Sequence, residues 1–171
     1  MYKKRAFSCV GAVLLGLGLA DSGWAASRCI PVEGKIFNNA MGPGGTLGIA
    51  HVIFAREKFK CGLQGVGKHA GPDSIGPLNF DHTMVCDDNA GTYDLPVHSQ
   101  LVWDTSGYPT SVPVDCAIPG LQSFSFIEVS KPVPGSGTGR FQNVVDGQIT
   151  IKGTLHCSLA IDMKFSGQLC F

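Results

Sequence analysis

From Gly147 to Phe165 the apolar side chains fall on odd-numbered positions: Ile149, Ile151, Leu155, Cys157, Leu159, Ile161, Met163 and Phe165. Gln148, Thr150, Lys152, Thr154, Asp162 and Lys164 stand between them. A period of two is the pattern of a half-buried β-strand, whose successive side chains point to opposite faces. The run exceeds the length of an ordinary strand. It therefore has to turn back, and the reading places that turn near Ser158 to Asp162, through an odd-length loop or a bulge.

The rest of the chain follows the same plan. Strand-like runs cover Cys29 to Phe37, Thr46 to Ala55, Arg56 to Val66, Leu78 to Asp87, Leu95 to Trp103 and Leu121 to Ser130. Turn-forming clusters separate them at Asn38 to Gly45, Lys68 to Pro77, Asp88 to Gly91, Asp104 to Pro113 and Pro132 to Gly139. The 23 glycines and ten prolines punctuate the whole length, and no stretch keeps a helical period between plausible caps. The expected fold is all-β: a single antiparallel β-barrel of about eight strands, with a β-sandwich as second choice.

The beginning of the chain reads differently. Lys3, Lys4 and Arg5 precede an apolar run from Phe7 to Ala20, and Gly23 and Ala25 occupy the small-residue positions before a cleavage point. These are the three parts of a secretory signal peptide, and the apolar run is too short to span a bilayer. Cys9 lacks the preceding Leu and small-residue context of a lipid attachment site. The expectation is a leader over residues 1–25 and one all-β domain over 26–171. Export would be to a periplasm or to the medium, with no integral membrane segment left after cleavage. Without Lys3, Lys4, Arg5 and Asp21 the chain keeps ten basic and twelve acidic residues, a net charge of −2. No global field attracts nucleic acid.

Cleavage also makes the cysteine count even, leaving Cys29, Cys61, Cys86, Cys116, Cys157 and Cys170. None forms a Cys-x-x-Cys pair, so neither a zinc site nor a thioredoxin-like redox motif is indicated. In an exported chain six spaced cysteines read as three disulfides, and spacing does not choose among the possible pairings.

The segment Gly137-Thr-Gly-Arg-Phe-Gln-Asn-Val-Val-Asp-Gly147, continuing through Gln-Ile-Thr-Ile-Lys-Gly153, resembles the Gly-Thr-Gly-x-Phe…Gly element of allene-oxide-cyclase-like and dirigent-like barrels. The resemblance implies a calycin-type, mostly eight-stranded antiparallel barrel, and the residues themselves agree with it, since Phe141 can plug one end of a barrel. It covers residues 137–153 alone. The six cysteines depart from that pattern, and the cyclase's catalytic residues find no matching motif here.

Candidate chemistry centres on two residues. His82 shares a strand face with Phe80, Met84 and Cys86, where an imidazole could orient a ligand or move a proton; the structural alternative is a buried, hydrogen-bonded histidine. Glu128 shares parity with Phe124 and Phe126, where burial would raise its pKa towards that of a general acid or base. The opposite register, with Leu121, Ile127 and Val129 inward and Glu128 in water, is the preferred reading, because unpaired buried carboxylates are rare. Asp81, His82, His98 and His69 match no metal-ligand spacing, so no metal and no cofactor are expected. Asp87 to Gly91 lacks the Glu that would complete a calcium loop. Gly-x-Ser-x-Gly, phosphate-loop and His-Glu-x-x-His motifs are missing. Arg56, Lys58 and Lys60 read as a solvated strand edge.

The chain is thus expected to be a disulfide-stapled binder of a small apolar ligand or a partner surface rather than an enzyme. Phe80, His82, Met84, Phe124 and Phe126 are the expected ligand-binding residues. The alternatives are a cyclase- or isomerase-like barrel using His82 or Glu128 as acid/base, and a structural or interaction protein of the envelope or extracellular space. Oligomeric state is left open.

Overall fold

The alternating segments form nine strands in the computed structural model, which describes residues 28–41, 44–68, 78–87 and 98–171. They are β1 (Cys29–Ala40), β2 (Gly45–Phe54), β3 (Glu57–Gly67), β4 (Leu78–Asp87), β5 (His98–Pro109), β6 (Val114–Asp115), β7 (Gln122–Pro132), β8 (Asp146–Leu155) and β9 (Ala160–Cys170). The expected leader, His69 and the turn at Asp88 to Gly91 lie outside the described residues.

Each long strand pairs antiparallel with the next along the chain. β5 joins β7 from Trp103–Pro132 to Pro109–Phe126, and β9 returns to β1 from Cys29–Cys170 to Asn39–Ala160. Eight strands thereby close into an up-and-down barrel, while two-residue β6 pairs with β7 alone. Closure leaves no long free edge. β3 pairs with β2 from Glu57 to Val66 but with β4 only from Cys61 to Gly67, so Lys58 and Lys60 are exposed on a stretch paired on one side, in line with the expectation for that stripe.

The long odd-parity run folds as expected into β8 and β9. Leu155 faces Ile161 across the turn, with five residues between them, so both strands keep their odd positions inward. Cys157 and Leu159 are spent in the turn itself, where Leu159 adopts a positive φ of 67°. Two expected loops are instead strand. β1 continues through Asn38 to Ala40, with Asn38 buried and its amide donating to Thr46 Oγ1 at 3.3 Å. β5 runs on to Pro109, because its inward positions there, Thr105 and Gly107, are small or polar and carry no apolar alternation to read.

The six cysteines form three disulfides: Cys29–Cys170, Cys61–Cys86 and Cys116–Cys157. The first two join facing residues of neighbouring strands, and the third ties the β6 loop to the β8–β9 turn. Three bridges in one chain belong to an oxidising compartment. No helix of the described residues is long and apolar enough to cross a membrane.

The end of the barrel that holds Cys29 and Cys170 is filled. The β7–β8 connection folds inward through a single 3-10 turn, Gly139–Phe141, and buries Phe141 to 1% exposure against Phe54, with ring centroids 5.8 Å apart. An added Cβ at Gly137 would overlap the Phe141 carbonyl, so the approach requires glycine. Arg140 fastens the plug outside, reaching Glu57 at 2.6 Å and stacking over Phe59 at 4.7 Å. Val32, Val144 and Leu169 complete the packing.

A polar-floored cavity at the open end

Among the described residues, no segment folds into the opposite end. There the inner faces of β1, β4, β7, β8 and β9 enclose a cavity of about 130 Å³. Its walls are mainly apolar, from Leu78, Phe80, Phe124, Phe126, Leu155, Ile161 and Met163, and its polar groups are Asn38, Thr46, His82 and Glu128. The structure therefore brings together Phe80, His82, Phe124, Phe126 and Glu128. Met84 lies one layer deeper, around a void of about 20 Å³ that it shares with His82 and Trp103.

Three large inward side chains of this end face glycines on a neighbouring strand. His82 faces Gly65, Glu128 faces Gly107 and Phe126 faces Gly153. A Cβ on Gly65 would stand 2.8 Å from the imidazole, and one on Gly153 would stand 2.6 Å from the Phe126 ring. A Cβ on Gly107 would collide with the Glu128 side chain. These spaces decide the register of β7. Glu128 points inward at 4% exposure while Ile127 and Val129 turn outward, which corrects the expectation of a solvated Glu128. Glycines at inward strand positions were the sequence signal for this site, since each marks where a partner strand sends a bulky group across.

His82 is held from below. Its Nδ1 lies 2.9 Å from Thr105 Oγ1, which lies 2.7 Å from Ser130 Oγ, so three strands share one buried polar chain. The imidazole stacks on Phe80 with centroids 5.5 Å apart. Burial pushes its pKa down to about 4, against a smaller opposing pull from Asp81. His82 is neutral at pH 7. Burial has the opposite effect on the Glu128 carboxyl, raising it to about 7. Desolvation disfavours the charged form of each group, which is why acid and base move in opposite directions.

Two atoms are left over. Glu128 Oε2 and Asn38 Oδ1 are buried with no hydrogen-bond partner among the described residues. Buried polar atoms are nearly always satisfied, so such orphans require an explanation. Asp81, by contrast, leaves the outer face, where Lys68 bridges it to Asp104. No cluster of three or more metal-ligating side chains occurs among the described residues.

In comparisons with known proteins, no family model, no curated protein and no solved structure matched the chain.

Proposed function

We propose that the protein is an exported binder of a small, mostly apolar molecule carrying one hydrogen-bonding head, held in the open-end cavity. The observation that carries this reading is the orphaned Glu128 Oε2, buried among aromatic and aliphatic side chains in a cavity whose lining also includes Asn38, with its Oδ1 likewise unpartnered among the described residues. A carboxyl whose pKa burial raises to about 7 is protonated below that pH, and can then donate one hydrogen bond and accept another. A ligand with a hydroxyl, amide or carboxylic acid head would complete both orphans while its body covers Phe80, Phe124 and Phe126.

Size narrows the class. Engineered apolar cavities of about 150 Å³ take up benzene, and drug-sized sites begin near 300 Å³. The cavity thus suits molecules of about six to ten non-hydrogen atoms rather than steroids or long acyl chains. Lysines at mid-strand on the outer surface suit a barrel standing in water, since a membrane barrel is apolar there. The closed eight-stranded barrel and its Phe141 plug support the calycin-type resemblance; export to periplasm or medium rests on the three disulfides and the leader-like segment.

Native mass spectrometry of protein taken from its own host is expected to show a small non-covalent adduct. With that compound, or with benzene-sized phenols, amides and acids, Glu128→Leu, which removes donor and acceptor together, should weaken binding by about tenfold, one neutral hydrogen bond's worth. Unliganded protein that none of these compounds stabilises against heat would sink the proposal. A second reading, a barrel enzyme, has one observation in its favour: a carboxyl titrating near 7 suits a general acid or base. Chemical conversion of the bound compound, abolished by Glu128→Gln, would distinguish it from simple binding.

A further inference from the structure

The outer surface carries a feature unrelated to the cavity. Strand register places Lys60, His51, Lys35, Lys164 and Lys152 opposite one another, in a row across β3, β2, β1, β9 and β8. All five are exposed. No described carboxylate lies within ion-pair distance of these lysines. The nearest acids by register, Glu33 and Asp162, sit in the adjacent rows, and Asp162 engages His156 at 3.2 Å. Like charges set directly opposite each other destabilise a sheet, and Lys164 faces one on each side. A chain with more acidic than basic residues after residue 25 nevertheless places four of its seven remaining lysines in this row.

Shallow grooves of about 640 and 710 Å³ flank the row, with Lys35, Lys152 and Lys164 forming the wall common to both. The shape of the row selects its partner. Five of eight strands exceed half the circumference, so a flat bilayer could meet its middle only, whereas a flexible chain can follow all of it. Neighbouring strands lie about 4.8 Å apart, so the basic side chains leave the backbone at a short, regular interval along the row. Single-stranded nucleic acid would call for several stacking platforms. Among the described groove residues Phe37, at 46% exposure, is the one exposed aromatic.

We propose that this row binds an acidic polysaccharide laid across the strands, its carboxylates or sulfates on the lysine ammonium groups and one sugar ring over Phe37. The test measures binding of decamers of polygalacturonate and of heparin to the wild-type protein, to Lys35→Gln/Lys152→Gln/Lys164→Gln, and to a charge-matched control, Arg28→Gln/Arg56→Gln/Lys131→Gln. The row variant should lose at least about tenfold in affinity for one of these decamers while the control stays within about twofold. Raising salt should weaken wild-type binding with a log–log slope of about three or more, and the row variant with a slope of about one. Lys164→Gln alone should raise the thermal midpoint by about 1–3 °C, because it removes two repulsive facings, and the row variant should unfold no earlier than the wild type, so its lost binding cannot be lost folding. Equal losses in row and control variants, a lowered midpoint in Lys164→Gln, or tighter binding to phosphatidylserine vesicles or an oligothymidine overturns the proposal.

Discussion

Replacing Cys29 and Cys170 together by alanine is expected to lower the unfolding free energy by about 5 kcal/mol, the largest effect of any single bridge. The bridge spans 141 residues, against 25 for Cys61–Cys86 and 41 for Cys116–Cys157. A cross-link stabilises chiefly by removing conformations from the unfolded chain, and that entropy grows with the logarithm of the loop. The same relation gives about 3.5 kcal/mol for Cys61–Cys86 and about 4 kcal/mol for Cys116–Cys157. Position matters as well as length. Every other long-strand pairing joins segments close along the chain, whereas the β1–β9 seam joins the first described strand to the last. Without the bridge, that seam rests on strand hydrogen bonds and on the reciprocal backbone pair of Arg28 and Phe171, each at 3.1 Å. Urea unfolding of the three double-alanine variants checks the ranking. Should loss of Cys61–Cys86 prove costlier than loss of Cys29–Cys170, packing at the buried Cys61 and Cys86 sulfurs rather than chain entropy governs these bridges.

What could be read in advance follows from which interactions are local. The period-two run that became β8 and β9, and the strand Leu78–Asp87, were legible because alternation within a strand is written in neighbouring residues. Glu128 was not, because β7 carries apolar groups on both faces, with Phe124 and Phe126 on one and Ile127 and Val129 on the other. Its register is settled by Gly107 on β5 and Gly153 on β8, whose proximity exists only once the barrel has closed. The inward Thr105 hid the end of β5 for a related reason: it is chosen to meet His82 and Ser130, not oil. The disulfide pairing and the lysine row are fully non-local. Lys35, Lys152 and Lys164 become neighbours through two strand registers that no stretch of sequence displays.

The buried pair His82 and Glu128 should give opposite pH dependences of stability that nearly cancel in the wild type. The Glu128 carboxyl, ordinarily near 4.5, titrates at about 7 in the folded protein. The folded state therefore holds its proton more tightly, and the stability this confers is complete below pH 4.5 and is lost as pH rises to 7. For His82, ordinarily near 6.5 and lowered to about 4, the unfolded state holds the proton more tightly. Its contribution is complete above pH 6.5 and is lost as pH falls to 4. Each excursion is on the order of 3 kcal/mol. Between pH 4.5 and 6.5 one group loses what the other gains, so the wild-type profile from this pair is close to flat. Glu128→Gln should uncover the histidine slope, gaining on the order of 3 kcal/mol from pH 4 to 6.5, and His82→Gln should uncover the carboxyl slope, losing a similar amount from pH 4.5 to 7. Chemical denaturation at half-unit pH steps, read as each variant minus the wild type, cancels the exposed histidines and carboxylates common to all three proteins. A Glu128→Gln profile parallel to the wild type would mean that Glu128 is ionised, and so already partnered, in the folded protein. That result would remove the orphaned carboxyl on which the binding reading depends. If both variants instead show the opposed slopes, the lining of the open-end cavity includes both a neutral acid and a neutral base, and a ligand that brings its own charge would have to work against both.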